Sequence, residues 1–272
     1  MLEQERNEIF SEIESYFQKE FGQEIDLTSQ VQTITVNDYS YCFEFLVSNQ
    51  AYFAKISKFD QYLLRQDQSM MPFSVQDLQF GKAEYESLIS LSEKIQINNV
   101  KVIEVVAYLE RTNTLITKKV KGKDFFLLLR QSSLPFNKSK NYCLPLVKDL
   151  ANFYNTVAFS SDKKFISYDF QRYTKKIESY TKDLEIDFSE EQEFLDNLQI
   201  DTFQDCFEIL GFKGFDIRNV IHCEDGTLKV LDPGKEKREP LESFFSRMHA
   251  TLIIIFWGHP LFFINKTLKS DY

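Results

Sequence analysis

Residues 214–234, GFDIRNVIHCEDGTLKVLDPG, constrain this chain more than any other stretch. Asp225-Gly226 is a strong signal for a two-residue hairpin turn, because such turns need residues that tolerate positive φ. A short apolar run, Val220 to Cys223, precedes it, and Thr227 to Leu231 returns from it. A hairpin sets its two ends side by side, so Asn219 and Asp232 meet at one mouth. An amide oxygen and a carboxylate are hard oxygen donors. Mg2+ takes donors of that kind and completes its shell with phosphates and water.

The rest of the chain divides by periodicity. Leu2, Ile9, Phe10, Ile13 and Phe17 fall at helical spacing and predict an amphipathic helix over residues 2–20, ended by Gly22. A meander of about three strands follows: Val31 to Val36, Tyr41 to Val47 and Ala51 to Ile56, with a turn at Ser48-Asn49-Gln50. Residues 58–74 read as a loop and 75–95 as a helix whose face carries Leu78, Ala83, Leu88, Leu91 and Ile95. Val100 to Leu109 and Thr114 to Val120 read as a second strand pair joined at Arg111-Thr112-Asn113. After Gly122 the pattern becomes helical over Lys123 to Arg130, Tyr142 to Val157 and about 165–198, with no second large sheet. The expected organisation is an N-terminal helix over 1–24, a β-rich lobe over 25–121 and a helical lobe over 122–272 that contains the 214–234 hairpin.

Composition excludes several classes. The net charge is −9, so the basic footprint of a nucleic-acid binder is missing. The local basic run from Lys118 to Lys123 reads as a solvated loop or as a charged rim beside an anion site. The four cysteines, at 42, 143, 206 and 223, show no C-x-x-C spacing, which argues against zinc and fits reduced thiols of the cytoplasm. The longest apolar run, Ala250 to Ile264, holds His259 and Pro260 and is too short and broken to span a bilayer. It reads as a core helix ending near Gly258, with a membrane-surface helix as the alternative. No Ser-His-Asp or Cys-His set supports nucleophilic catalysis.

The hairpin with its flanking Asn219 and Asp232-Pro233-Gly234 resembles the catalytic segment of the protein-kinase-like superfamily, most closely its aminoglycoside-phosphotransferase-like and small-molecule kinase branches. Ala51-Tyr52-Phe53-Ala54-Lys55-Ile56 resembles the strand that carries the phosphate-binding Lys, with Lys55 in that place. Lys82 to Leu88 resembles the helix that offers its Glu to the Lys, as Glu84 or, failing that, Glu86. Thr114 to Gly122 resembles the hinge whose backbone meets the adenine, through Thr117, Lys118 and Lys119. Leu146 to Val157 resembles the helix under the catalytic loop. The resemblance covers residues 30 to 260. It implies an α+β bilobal fold, with a small antiparallel sheet and one helix in the first lobe and a mainly helical second lobe. It implies ATP and Mg2+ as cofactors, Asn219 and Asp232 as metal ligands, and Asp216 as the catalytic base.

Three departures shape the functional expectation, one being that Phe215 precedes Asp216 with no His or Arg ahead of it. The family's loop sets its Asp five positions before its Asn. Here Asp216 stands three before Asn219, and Gly214 stands five before it. Either a shortened loop lets Asp216 reach the acceptor hydroxyl, or the base position is Gly214 and the base is lost. No glycine lies between Gly22 and Gly81, so Asn37-Asp38-Tyr39-Ser40 replaces a glycine-rich phosphate-covering turn. The readings are an ATP- and Mg2+-dependent phosphotransferase acting on a small-molecule, sugar or glycan hydroxyl, or a catalytically impaired pseudokinase serving as a binding or scaffold module. The position of the Asp216 carboxylate discriminates them.

Overall fold

The computed structural model describes residues 3–37, 40–57, 80–94, 97, 99–132, 140–159, 164–169, 203–212, 214, 216–241, 243–246 and 251. Helix α1, Glu3–Phe21, buries Ile9, Phe10, Ile13 and Phe17. Gly22 ends it in the left-handed region, at φ 66, and its N–H closes on the Gln18 carbonyl at 3.0 Å, which satisfies an orphan carbonyl without a Cβ penalty. The reading of Val31 to Val36 as one strand is only partly met. A one-turn helix α2, Leu27–Gln30, capped by Asp26, precedes it, and only β1, Thr35–Val36, pairs.

Strands β2, Ser40–Val47, and β3, Gln50–Ser57, form the expected hairpin over Ser48 and Asn49, both at positive φ. With β5, Val105–Leu109, and β6, Thr114–Lys118, they make a five-stranded sheet in the order β1-β2-β3-β6-β5. Alternation along β2 separates its two faces. Phe43, Phe45 and Val47 pack under α1 with Ala54, Ile56 and Ile116. Ser40, Cys42 and Glu44 point the other way, into a cleft. The Phe17 ring meets Phe45 and Tyr52 edge-on, with centroids 5.6 and 5.0 Å away.

Helix α3, Phe80–Lys94, sits on the cleft side of this sheet. The stretch read as a single strand over 100–109 is two strands in two sheets. β4, Val100–Val102, runs parallel to β11, Leu228–Val230, with Val100 opposite Leu228. β11 pairs antiparallel with β10, Val220–Cys223, and β10 with β7, Gly122–Asp124. Beneath lie α4, Phe125–Ser132, and α5, Lys140–Phe159, whose Phe125, Leu129, Leu150, Phe153 and Tyr154 share one core with Val220, Leu228 and Val230. Leu91 of α3 and Val100 join that core.

The helical expectation for 165–198 fails at its start. Lys164–Asp169 is strand β8, which pairs with β9, Phe203–Phe212, and β9 pairs with β12, Glu236–Pro240. The rest of that span, the apolar run 252–264, His249 and Phe215 lie outside the described residues. The α+β, two-lobed arrangement is present, with two small sheets set among the helices of the second lobe. Among the described residues, no helix is long and apolar enough to cross a membrane. Cys42, Cys143 and Cys223 are buried and unbridged.

Candidate functional site

Lys55 lies on β3 between Cys42 of β2 and Leu115 of β6. Its ammonium donates to Glu84 Oε2 at 2.7 Å and to Asp232 Oδ2 at 2.6 Å. The ion pair expected between Lys55 and the helix is therefore made, and by Glu84; Glu86 faces solvent. Glu84 is almost fully buried, with 3% of its side chain exposed. Burial pushes the Glu84 carboxyl up to about 7, against the pull of Lys55. Burial alone would lower the Lys55 ammonium, but the carboxylates of Glu84 and Asp232 outweigh it and carry it well above the ordinary lysine value. Lys55 is thus a fixed cation held between a buried acid and a half-exposed one.

These three groups line a cavity of about 650 Å3 between the sheet and the hairpin. Phe53, Ile103, Leu115, Val120, Ile221 and Leu231 make its walls apolar away from the Lys55 end. An apolar slot with a few convergent polar groups at one end is the usual form of a small-molecule site.

Thr117, Lys118 and Lys119 all line the cavity, yet two of their backbone N–H groups are already used. Lys118 N–H donates to the Glu104 carbonyl at 2.9 Å and Lys119 N–H to the Ala51 carbonyl at 3.0 Å. Their ammonium groups pair with Glu104 and Glu44. Those two N–H groups are thus spent within the sheet, and Val120 is the next residue in the cavity wall. Glu44 at the mouth was not foreseen, although its place two residues beyond Cys42 on the same strand face was a readable signal.

The hairpin brings Asn219 and Asp232 together. Asn219 Nδ2 donates to the carbonyls of Gly214, at 2.8 Å, and of Asp232, at 3.1 Å. Two acceptors at that nitrogen fix the amide's orientation, and among the described residues no hydrogen bond to Oδ1 is made. Asn219 and Asp232 both line the cavity. Among the described residues no group of three or more His, Cys, Asp or Glu converges. Asn219 and Asp232 are the residues here that could hold a metal; with only two protein oxygen donors it would need a ligand to complete its shell, as Mg2+ commonly does.

Asp216 is used elsewhere. It caps a 3-10 turn, Ile217–Asn219, and accepts the Arg218 N–H at 2.9 Å. Its Oδ2 accepts from the Arg218 guanidinium at 2.7 Å and from the Thr251 hydroxyl at 3.0 Å. Burial pushes the Asp216 carboxyl up, but these bonds more than offset it and hold it below the usual carboxylate range. It is not among the residues that line the cavity. His222, read as a packing residue of the hairpin, pairs with the Tyr142 hydroxyl at 2.7 Å.

No protein-family model matches the chain, and no curated protein matches it. Solved structures do. A ternary complex of APH(2")-IIa with streptomycin and ATP is similar at 17% identity and a TM-score of 0.51, over 86% of this chain and 75% of that one. Choline kinase LicA from Streptococcus pneumoniae is similar at 11% identity and a TM-score of 0.46, over 88% of this chain and 74% of that one. The likeness to the APH(2")-IIa complex shows a two-lobed, kinase-like fold for this chain.

Proposed function

We propose that the cleft binds a nucleoside triphosphate, taken here as ATP, together with Mg2+. The observation that carries this reading is Lys55 held between Glu84 and Asp232 at the polar end of an apolar slot. In this reading the slot takes the base and Lys55 neutralises phosphate oxygens. Asn219 Oδ1 and the Asp232 carboxylate hold the metal. When bound, Mg2+ supplies charge neutralisation at the phosphates.

Two fates of the acceptor step share this nucleotide site. One is transfer to a small-molecule, sugar or glycan hydroxyl. The other is a catalytically impaired pseudokinase that uses the occupied cleft as a binding module. The geometry of Asp216 favours the second. Its oxygens already accept three hydrogen bonds and it stands off the cavity, whereas a base must reach the proton it takes. The residue five before Asn219 is Gly214, which has no side chain to offer.

Thermal unfolding with ATP, with and without Mg2+, tests the nucleotide half. A ligand that binds only the native state stabilises it by about 2.7 kcal/mol at a hundredfold excess over its dissociation constant. The expected result is a Mg2+-dependent rise in Tm; no rise at millimolar ATP would end the nucleotide reading. ADP release with a panel of sugars and amino alcohols tests the acceptor half, and no turnover above background is expected. Asp216→Asn keeps an equally good cap and loses only the charge that faces the exposed Arg218 guanidinium, so it is expected to cost about 0–1 kcal/mol of stability and to leave the ATP-induced shift unchanged. Acceptor-dependent turnover that disappears in Asp216→Asn would restore the phosphotransferase reading.

A further inference from the structure

We propose that Gly214 is a positioning residue that sets Asp232 in the cleft. Its missing side chain lets the loop backbone lie directly on the backbone of residues 232–234. The inference rests on the nucleotide reading above and adds the device that holds its metal end in place.

A Cβ built on Gly214 would stand 2.2 Å from the Asp232 carbonyl oxygen, 2.8 Å from the Pro233 carbonyl carbon and 3.0 Å from the Gly234 nitrogen. All three are backbone atoms, so no rotamer change relieves the clash. Gly214 does not adopt a positive φ, so the position demands space and not an unusual dihedral. Gly226 is the contrast: its φ is 83 and nothing lies within 4 Å of its built Cβ. The close approach at Gly214 is closed by hydrogen bonds. Gly214 N–H donates to the Pro233 carbonyl at 2.7 Å. The Asn219 amide donates to the carbonyls of Gly214 and Asp232, and Leu231 N–H donates to the Asn219 carbonyl at 2.8 Å. Loop and hairpin exit thus form one ring of backbone groups tied through Asn219. The Asp232 carboxylate emerges from that ring toward Lys55.

One consequence is that position 214 admits no side chain, a carboxylate included, without a shift of the loop against the backbone of residues 232–234. The loop holds a clamp on the metal-binding segment where a base would stand.

The test reads metal dependence apart from nucleotide binding. In Gly214→Ala, the Mg2+ concentration that gives half of the ATP-induced rise in Tm is expected to increase at least tenfold. ATP binding measured in EDTA is expected not to weaken, because drawing Asp232 away uncovers Lys55. An unchanged Mg2+ requirement in a folded Gly214→Ala protein would overturn the proposal while leaving the nucleotide reading intact. Hydrogen exchange on the ligand-free wild type decides the clamp without any variant. The Gly214 amide is expected to be protected to the same degree as the amides of β10 and β11, and exchange at the rate of an open loop would overturn the proposal. If the wild type shows no ATP-induced shift, the nucleotide reading fails and the exchange measurement alone judges the clamp.

Discussion

Replacing Lys55 with Met is expected to lower the unfolding free energy by about 3–5 kcal/mol at pH 8, and by distinctly less at pH 5.5. The side chains of Lys55 and Glu84 are 17% and 3% exposed, so this ion pair is largely out of water. Breaking a buried pair by removing one partner costs more than the pair itself contributes, because the charge left behind has lost its solvent and its counter-ion. Asp232, 40% exposed, can rehydrate; Glu84 cannot. The Glu84 carboxyl already titrates near 7 against an ordinary 4.5, with burial raising it and Lys55 pulling it back. Without Lys55 it moves further up. A group whose folded value lies above its unfolded one contributes stability that is complete below the unfolded value. That contribution is lost as pH rises through the folded value, at about 1.4 kcal/mol for each pH unit inside the window. At pH 5.5 the variant folds with Glu84 protonated; at pH 8 it must bury a bare carboxylate or hold a proton against solution. Urea denaturation at the two pH values, with the wild type as reference, reads the difference. The double variant Lys55→Met, Glu84→Gln should lose this pH dependence, since the buried carboxyl is gone and the Asp232 that remains is 40% exposed and can rehydrate. Equal losses for Lys55→Met at both pH values would mean that Glu84 finds another partner or water.

What the sequence disclosed here was local. The β10–β11 hairpin was legible because Asp225-Gly226 leaves the chain few alternatives, and the β2–β3 hairpin because Ser48-Asn49 interrupts two alternating runs. The end of α1 at Gly22 was legible for the same kind of reason. The contact of Lys55 with Glu84, 29 residues away, came from resemblance. No periodicity could have supplied it.

What stayed hidden was set at long range. Val100–Val102 reads as the start of a longer strand, and only its parallel pairing with Leu228–Val230 detaches it from Val105–Leu109. That pairing depends on a partner more than a hundred residues away. It also joins the α3 end of the upper lobe to the hairpin that carries Asn219. Phe165 and Phe207, opposite each other on β8 and β9 with ring centroids 5.0 Å apart, satisfy a helical window as readily as a strand when β9 is not in view. Asp216 is ambiguous in the sequence for a chemical reason. A carboxylate three residues ahead of an Asn serves a 3-10 cap as well as a catalytic loop, and its contacts with Arg218 and Thr251 are visible only in the fold. For the hinge lysines, likewise, the sequence cannot show that two of their N–H groups are spent on Glu104 and Ala51.

Asp232→Ala is expected to abolish the Mg2+-dependent part of nucleotide binding at a small cost in stability. Its carboxylate is 40% exposed and Lys55 retains Glu84, so the lost ion pair is worth about 0–1 kcal/mol. The metal, by contrast, loses the only charged one of its two proposed protein donors, and an amide oxygen alone holds Mg2+ poorly. The ATP-induced shift in the presence of Mg2+ should fall to its value in EDTA, a loss of at most about 2.7 kcal/mol under conditions of hundredfold excess. The two titrations should also move in opposite directions. Asp232 occupies one side of the Lys55 ammonium at 2.6 Å, so removing it frees that side for phosphate oxygens, and ATP in EDTA should bind more tightly than to the wild type. A change that merely loosened the fold would weaken both titrations together. Asp232→Asn should fall between, because it keeps an oxygen donor and loses the charge. If Asp232→Ala retains the full Mg2+-dependent shift, the metal is held elsewhere, and the Asn219–Asp232 mouth is a structural joint of the hairpin.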